Sequence, residues 1–299
     1  MRCVTVMNTR RISHTGPAIK LFICCHKEEN TQFYPLLTPI QAGARYHQEK
    51  WDGYLQDSIG DNISDRNHSY CELTTLYWIW KNVKADYYGL FHYRRFLYPD
   101  VLTKKAYRIE KEPVMPLLNK LGYEHFSELI QQYDLIVPIG EKRYETVYSH
   151  YKSAPYHHID DLERVGIIIK SQCPEYEKAW GRYISGTTHY FGNIAIFSKS
   201  TLNDYCEWLF SILDEFDNQT DVSAYGSREM RVDGYLGERL LGVYYIKNRE
   251  KLKTLELPRV IFCPGKDYYG KKAVSLVLPP GSRRRAVVKR AAKLLLNGQ

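Results

Sequence analysis

The sequence predicts an α/β fold, in which a mixed, mostly parallel sheet is flanked by helices. Three observations support this prediction. Short apolar runs typical of buried strands alternate with longer segments of helical periodicity. The chain has 299 residues, of which 44% are hydrophobic and 25% are charged, so it can bury a sizeable core. No internal repeat or low-complexity block interrupts the alternation, which favours one globular domain followed by a tail.

The individual elements follow from the same patterns. Apolar runs predict strands at 21–25, 87–93, 134–139, 189–197 and 260–263. Helical periodicity predicts helices at 69–83, 123–133, 160–171, 175–184, 201–216 and 228–247, the last being one long helix or two joined ones. We expect Ser69 and Ser200 to act as N-caps, with Glu72 completing a capping box after Ser69. Residues 26–65 are rich in glycine, proline and polar residues, and such a long loop in a compact domain usually builds a site.

Several common function classes lack their signatures in this chain. The phosphate-binding patterns GxxxxGK[ST] and GxGxxG, the hydrolase elbow GxSxG and the zinc-protease motif HExxH are all absent. The seven cysteines are scattered and form no CxxC pair, which argues against a disulfide framework or a zinc ribbon and favours a reducing cytosol. No apolar run reaches the roughly 20 residues of a membrane span, and we expect no cleaved signal peptide.

The positive charge is concentrated in the C-terminal tail. The net charge is +8, and residues 282–299 contribute six cations and no acids, which leaves +2 for the rest of the chain. Pro279, Pro280 and Gly281 separate this segment from the body. Its cations and its apolar residues fall on different stripes of a helix, which predicts a basic amphipathic helix on anionic lipid. The alternative is a solvated C-terminus whose cations only aid solubility.

The segment 89–95 places polar residues at the end of a predicted strand. In an extended strand, His92 and Arg94 would point to one face, and Tyr93 and Arg95 to the other. Ligands of open α/β sheets bind at the carboxyl ends of strands, where two arginines suit an anion such as a diphosphate. The alternative is that both arginines pair with surface carboxylates. We favour the anion site, because adjacent arginines beside a histidine are costly to bury without an anion.

Two further polar segments are weaker candidates. Asp61 and Asn62 could bind hydroxyl groups or a metal ion, or they could simply build a turn. His189 and Asn193 flank a glycine in a predicted strand, and that glycine would allow a ligand to approach the backbone closely.

Two carboxylates in the predicted helix at 228–247 are candidate general bases. Asp233 and Glu238 lie beside Gly234 and Gly237, which leave room for a substrate. The alternative for Glu238 is a helix carboxylate held in a salt bridge, and the residues by themselves favour that alternative.

Seven segments, taken together and in order, resemble one known family. They are Gly60-Asp-Asn-Ile-Ser64, Tyr70-Cys-Glu-Leu-Thr74, Tyr77-Trp-Ile-Trp-Lys-Asn82, Tyr88-Gly-Leu-Phe-His-Tyr-Arg-Arg-Phe96, Tyr148-x-His150-Tyr151, Tyr205-Cys-Glu-Trp-Leu-Phe210 and Gly237-Glu-Arg-Leu-Leu241. The chain is similar in these segments to the DUF4422 family, whose members are glycosyltransferase-like proteins of bacterial capsule, exopolysaccharide and O-antigen clusters. The resemblance runs from about residue 20 to residue 258.

The resemblance implies a GT-A-like, Rossmann-like fold that binds a nucleotide-sugar. It implies transfer of a sugar, galactopyranose or galactofuranose, from a UDP-sugar donor to a glycan acceptor that is lipid-linked. The first strand and His26 after it would meet the nucleotide. His92, Tyr93, Arg94 and Arg95 would lie where GT-A enzymes usually carry an Asp-x-Asp metal motif.

This chain departs from that motif, since it has no Asp-x-Asp at any predicted strand end. Dependence on Mn²⁺ or Mg²⁺ is therefore open, with no metal ligand assigned. Arg94 and Arg95 could neutralise the leaving diphosphate in place of a metal. Asp61 and Asn62 are the remaining residues expected to bind the UDP-sugar donor.

The resemblance also implies an acceptor side. Asn193, His189 and His150 would line the sugar and acceptor site, and Glu238, or else Asp233, would take the proton of the acceptor hydroxyl.

The expected organisation is an N-terminal extension (1–19), a GT-A-like domain (20–278) and a basic amphipathic tail (279–299). Such a protein would act in the cytoplasm, on the inner face of the cell membrane. One competing class is a non-catalytic protein of the same fold that binds a nucleotide-sugar or a glycan. Another is a nucleic-acid-binding protein, which the nearly neutral body disfavours.

Overall fold

The structure is a computed structural model that describes residues 16–28, 36–278, 282–285 and 287–288. The strands are β1 (Ile19–Cys25), β2 (Leu37–Gln41), β3 (Leu55–Gln56), β4 (Tyr87–His92), β5 (Arg95–Leu97), β6 (Tyr107–Glu110), β7 (Leu135–Pro138), β8 (Glu141–Lys142), β9 (Thr188–His189), β10 (Ala195–Ser198), β11 (Thr254–Leu257) and β12 (Arg259–Phe262). The helices are α1 (Asn67–Tyr70), α2 (Leu73–Asn82), α3 (Met115–Lys120), α4 (Phe126–Ile130), α5 (Val147–Ser153), α6 (Ile159–Gln172), α7 (Glu177–Ile184), α8 (Lys199–Gln219), α9 (Val232–Asn248) and α10 (Lys266–Val277).

The main sheet is mixed and mostly parallel, as the sequence predicts. Its strand order is β11-β7-β10-β4-β1-β2-β3, and β10 is antiparallel to both of its neighbours. The pairs β1–β2, β1–β4, β2–β3 and β7–β11 are parallel. Beside this path, β12 pairs with β5 and β6, while β8 and β9 form a separate small sheet.

The central strand β1 is buried on both faces, which explains its continuous apolar run. Phe22 and Cys24 face a core formed mainly with α2, α6, α8 and α9. Leu21 and Ile23 face a second core, which includes residues of α3, α4, β5 and β12. Helices therefore cover both faces of the sheet, so a ligand would bind at the ends of the strands.

Most predicted elements are confirmed, but three turns break elements that the sequence patterns present as continuous. Cys71 has a φ of 51° and separates α1 from α2, so Ser69 lies inside α1 and is not an N-cap. Gly192 and Asn193 have φ values of 107° and 43°, so the predicted strand 189–197 is two short strands, β9 and β10. The strand predicted at 87–93 ends at His92, where a turn leads into β5.

The sequence patterns also missed elements that carry little signal of their own. The short strands β5, β6 and β11 and the helices α3, α5 and α10 were not predicted, and β2 and β3 lie inside the predicted loop 26–65. Ser198, not Ser200, caps α8, because its side chain accepts a hydrogen bond from the Thr201 amide. Of the predicted tail helix, only residues 282–285 and 287–288 lie within the described residues.

None of the helices in the described part of the chain is both long and apolar enough to span a bilayer. The longest of them, α8, is amphipathic and packs its apolar side into the first core.

The packing of α9 against α7 gives a test of the fold. A methyl group added at Gly242 would overlap the buried ring of Tyr183, whereas one added at Gly181 would meet nothing within 4 Å. We expect Gly242→Ala to lower the free energy of unfolding by about 1–3 kcal/mol through overpacking. We expect the matched control Gly181→Ala to raise it by up to about 1 kcal/mol through helix propensity. Urea unfolding measures both values, and equal effects of the two variants would contradict this packing.

Candidate functional site

The candidate site begins at the carboxyl ends of the two central parallel strands, β1 and β4. His26 follows β1 and His92 ends β4, and their ring centroids lie 5.9 Å apart. Tyr93 begins the turn after β4 and packs on His92 at 4.3 Å between centroids. The guanidinium of Arg94 lies 4.8 Å from the centre of the Tyr93 ring. The structure thus brings together four of the donor-side residues that the sequence predicts.

Three arginines surround these rings, and we call Arg94, Arg95 and Arg231 the cationic cluster. Burial lowers the pKa of His92 well below its ordinary value, and the charges of all three arginines lower it further. Burial also lowers the pKa of His26 to about 4, with Arg231 as the next cause. Both histidines are therefore neutral at neutral pH, and the positive charge of the site comes from the arginines.

The cationic cluster has unused capacity to bind an anion. Within the described residues, neither Arg94 nor Arg95 lies within ion-pair distance of a carboxylate, and the Nε of Arg94 has no hydrogen-bond partner. Arg231 is exposed at the start of α9, and its Nε donates to the sulfur of Cys71 over 3.2 Å. The predicted alternative, that Arg94 and Arg95 pair with surface carboxylates, is not what the structure shows.

The turn before β10 connects this cluster to two carboxylates. The Nδ2 of Asn193 donates to Glu72 Oε1 and to the carbonyl of Gly234, each over 3.0 Å. The amide of Gly192 donates to Glu238 Oε1 over 2.5 Å. We call this set of hydrogen bonds the Asn193 junction, because it joins the sheet to α9 and to the residue that precedes α2.

Glu238 is a carboxylate that remains partly accessible to solvent. Its side chain is 19% exposed, and its Oε2 accepts from the buried Arg239 over 2.5 Å. Each carboxylate oxygen has two lone pairs, so both can still accept a proton from a substrate. Burial raises the pKa of the neighbouring Glu72, and the charge of Glu238 adds to that rise. Two carboxylates and the cationic cluster therefore share one region.

Asp233, the other predicted base, faces the interior. Its side chain is fully buried, its Oδ2 accepts a hydrogen bond from the Ser69 hydroxyl, and its Oδ1 has no partner among the described residues. Burial raises the pKa of Asp233 to about 8, and the charge of Asp217 contributes. The structure places this carboxyl in the core, where it contacts the helix before Cys71.

Asp61 and Asn62 are not brought to the cationic cluster. Asp61 accepts a hydrogen bond from the Tyr77 hydroxyl over 3.1 Å, and its backbone is bonded on both sides to Asn82 at the end of α2. The Asn62 side chain bonds to the backbone of its own turn, including the carbonyl of Gly60. Both residues stabilise a turn, which is the alternative to ligand binding that their residue types predicted.

The predicted acceptor-side histidines gather around Phe191, which is half-buried. His189 stacks on Phe191 with centroids 5.4 Å apart, and His150 approaches its edge at 5.6 Å. Burial lowers the pKa of His189 to about 4, and its Nε2 lies 3.0 Å from the carbonyl of Glu145. Arg143 lies 4.8 Å from the Phe191 ring centre. Phe191, at the centre of this group, immediately precedes Gly192 in the chain.

Three residues of the site were missed or given another role by the sequence reasoning. Glu72 was assigned only as a capping residue, and Arg231 stands in a segment singled out for its carboxylates. Arg259 donates to the carbonyl of Phe191 over 3.1 Å and pairs with Glu141. The only sequence signal for Arg259 was its position next to the predicted strand at 260–263.

Two other features of the molecule bear on where a ligand could bind. A depression of about 730 Å³ lies by the amino ends of the central strands β1 and β4, the ends opposite the candidate site. Pro17, Asp86, Tyr87 and Asn203 contribute to its lining, and no candidate site residue lines it. Across the described residues, no group of three or more His, Cys, Asp or Glu side chains is arranged to hold a metal ion.

The sheet order, the helices on both of its faces and a polar site at the carboxyl ends of its central strands define a Rossmann-like α/β protein. The profile of DUF4422, described as a domain of unknown function, matches residues 20–249, and the chain belongs to this family. No protein with a curated description matches the chain.

A solved structure is also similar. The WbbM bifunctional glycosyltransferase, in its apo structure, shares 30% sequence identity with this chain at a TM-score of 0.75. The match covers 82% of this chain but 45% of the WbbM chain, so this chain spans less than half of that protein. This similarity confirms the GT-A-like fold that the sequence predicts.

The buried Asp233 generates a prediction about pH. The native protein keeps a proton on this carboxyl up to about pH 8, whereas the unfolded chain releases it near pH 4, so this group lowers stability as pH rises between those values. We expect Asp233→Asn to remove that loss and to gain on the order of 2 kcal/mol over the wild type between pH 5 and pH 8. Urea unfolding at both pH values measures it, with the exposed Asp52→Asn as control. Parallel pH dependence in all three proteins would contradict the burial of this carboxyl.

Proposed function

We propose that this protein is a glycosyltransferase that moves a sugar from a UDP-sugar donor to a glycan acceptor. One observation carries the proposal: arginines that have no carboxylate partner among the described residues share the carboxyl end of the sheet with the partly accessible carboxylate of Glu238. The proposal is supported by the family and by the 30% identical WbbM structure, which is described as a bifunctional glycosyltransferase. A galactopyranose or galactofuranose donor follows from the family resemblance and is the sugar to test first.

On the donor side, the cationic cluster would receive the diphosphate. Arginine presents several donors in a planar fork, and pairs with phosphate are stronger than neutral hydrogen bonds. His26 and His92 are held neutral, so they would donate or accept hydrogen bonds without adding to the charge. The leaving UDP develops negative charge as its bond to the sugar breaks, and fixed cations stabilise that charge best when they are already in place.

The residues present do not fit the divalent metal that GT-A folds often carry. At the end of β4, the position expected for an Asp-x-Asp motif holds His92, Tyr93, Arg94 and Arg95. A divalent cation prefers carboxylate oxygens, and three arginines would repel it. Asp61, the candidate ligand that the sequence offers, is not brought to this cluster and accepts a hydrogen bond from Tyr77. We therefore assign charge neutralisation to the cationic cluster.

On the acceptor side, Glu238 would act as the general base. The acceptor hydroxyl attacks the anomeric carbon, its proton passes to the Glu238 carboxylate, and the bond from that carbon to the diphosphate breaks. The Gly192 amide and Arg239 hold the two carboxylate oxygens in place. Asn193 would shape the floor under the donor sugar, and His189 and His150 would line the acceptor side through Phe191. Asp233, being buried, would support α9 from within.

Glu238→Gln tests this role. Glutamine can still accept from the Gly192 amide, but it cannot take a proton, so we expect transfer to fall about a hundredfold or more while UDP affinity changes little. The measurement is UDP release from UDP-galactopyranose and UDP-galactofuranose, with UDP binding followed by calorimetry. The exposed Glu250→Gln is the matched control.

Full turnover by a folded Glu238→Gln protein would remove the base from the mechanism. Binding of UDP-sugars by the wild type without any turnover would instead favour the non-catalytic binding protein.

We also propose that the C-terminal part of the chain lies on a membrane at its cytoplasmic face, where a lipid-linked acceptor would be found. Helix α10 buries none of its residues, and it exposes Leu276 and Val277 together with Lys271 and Lys272. Apolar side chains beside cations suit an anionic bilayer surface. The catalytic domain would then extend through residue 278, with residues 279–299 as a basic tail.

A charge reversal tests the membrane proposal. We expect the double variant Lys271→Glu, Lys272→Glu to reduce binding to phosphatidylglycerol-containing vesicles about tenfold, because each lysine loses its attraction to the surface. The control Lys178→Glu, Arg182→Glu places the same reversal on exposed positions of α7. Vesicle sedimentation measures both, and equal loss in the two variants would contradict a specific contact through α10.

A further inference from the structure

Tyr156 combines features that the fold by itself does not explain. Its φ is 67°, in the left-handed region that favours glycine, and a side chain in this region strains the backbone. The residue is 42% exposed, so its ring contributes little to either core. A strained aromatic residue that buries little surface points to a role in binding.

One arginine fixes this exposed ring. The Nη1 of Arg228 donates to the Tyr156 hydroxyl over 2.6 Å, and the guanidinium lies 5.0 Å from the ring centre. Arg228 is itself exposed, and its carbonyl accepts from the Tyr235 hydroxyl over 2.9 Å. The loop that carries Tyr156 is thereby attached to the segment that leads into α9.

His157, the residue after Tyr156, places the Tyr156 ring near the proposed base, Glu238. His157 stacks on Tyr235, with centroids 4.0 Å apart and an interplanar angle of 17°. Tyr235 precedes Glu238 by three residues on α9, so the two side chains lie on the same side of the helix, one turn apart. Burial lowers the pKa of His157 to about 4, and the charges of Arg239 and Glu238 also act on it. The stacking on Tyr235 therefore sets this loop about one helical turn from Glu238.

We propose that Tyr156 and Arg228 form a subsite for a sugar ring of the acceptor glycan, next to Glu238. The inference rests on the proposed function, since it names where that acceptor binds. Sugar rings present one face of C–H groups, which packs on the open side of an aromatic ring, and hydroxyls at their edge. The guanidinium of Arg228 has five N–H donors, of which one is used on Tyr156, so it can also bind those hydroxyls.

The subsite is tested with two neutral sugars, methyl β-galactopyranoside and methyl β-galactofuranoside, titrated into the full chain by saturation-transfer NMR. Tyr156→Gly removes the ring and relieves the backbone, so we expect sugar affinity to fall about five- to tenfold. We expect no loss of melting temperature in this variant, because glycine adopts this φ freely. Tyr156→Phe keeps the ring and should lose about twofold.

The control is Tyr269→Ala, since Tyr269 is another exposed tyrosine under a cation, Lys111 at 4.8 Å. UDP affinity, measured by calorimetry, should be the same in all variants. Sugar affinity of Tyr156→Gly that stays within about twofold of the wild type would overturn the subsite. Absence of sugar binding in a wild type that binds UDP would also overturn it. A wild type that does not bind UDP would instead count against the proposed function.

Discussion

The hydrogen bonds of the Asn193 junction hold both carboxylates of the candidate site against the end of the sheet. One side-chain amide reaches Glu72 ahead of α2 and the carbonyl of Gly234 in α9, while the neighbouring backbone amide reaches Glu238. Asn193 meets these partners only because its backbone has a positive φ, which asparagine tolerates better than most residues. The same turn ends β9 and lets β10 enter the sheet antiparallel to β4. A single turn therefore aligns the sheet, two helices and the carboxylate on which the proposed chemistry depends.

The charge distribution follows from this arrangement. The junction sets two carboxylates beside three arginines, yet only Glu238 has a close ion-pair partner in the described residues, and that partner is Arg239. The cationic cluster keeps its positive charge available, and burial keeps His26 and His92 neutral. Fixed cations next to a fixed carboxylate form an environment that suits an anionic leaving group on one side and a hydroxyl nucleophile on the other.

The sequence allowed the strands that carry the site to be predicted, because β1 and β4 are apolar runs buried on both faces. The resemblance to DUF4422 correctly indicated the family and the fold. The turn at Tyr93 and Arg94 was not predictable from alternation, since it is set by the pairing of His92 with Arg95. The breaks at Cys71 and Asn193 depend on contacts with residues more than 40 positions away, which local propensity does not register. The same limit explains why Asp233 looked accessible in the sequence, although tertiary packing buries it.

The central claim is that arginines, rather than a bound metal, neutralise the leaving diphosphate. The direct measurement is UDP release from UDP-galactopyranose and UDP-galactofuranose in the presence of EDTA, compared with the same reaction in Mn²⁺. We expect release to continue undiminished in EDTA, and we expect Arg94→Met to lower it strongly in both conditions. Release that EDTA abolishes and Mn²⁺ restores, with Arg94→Met as active as the wild type, would contradict it.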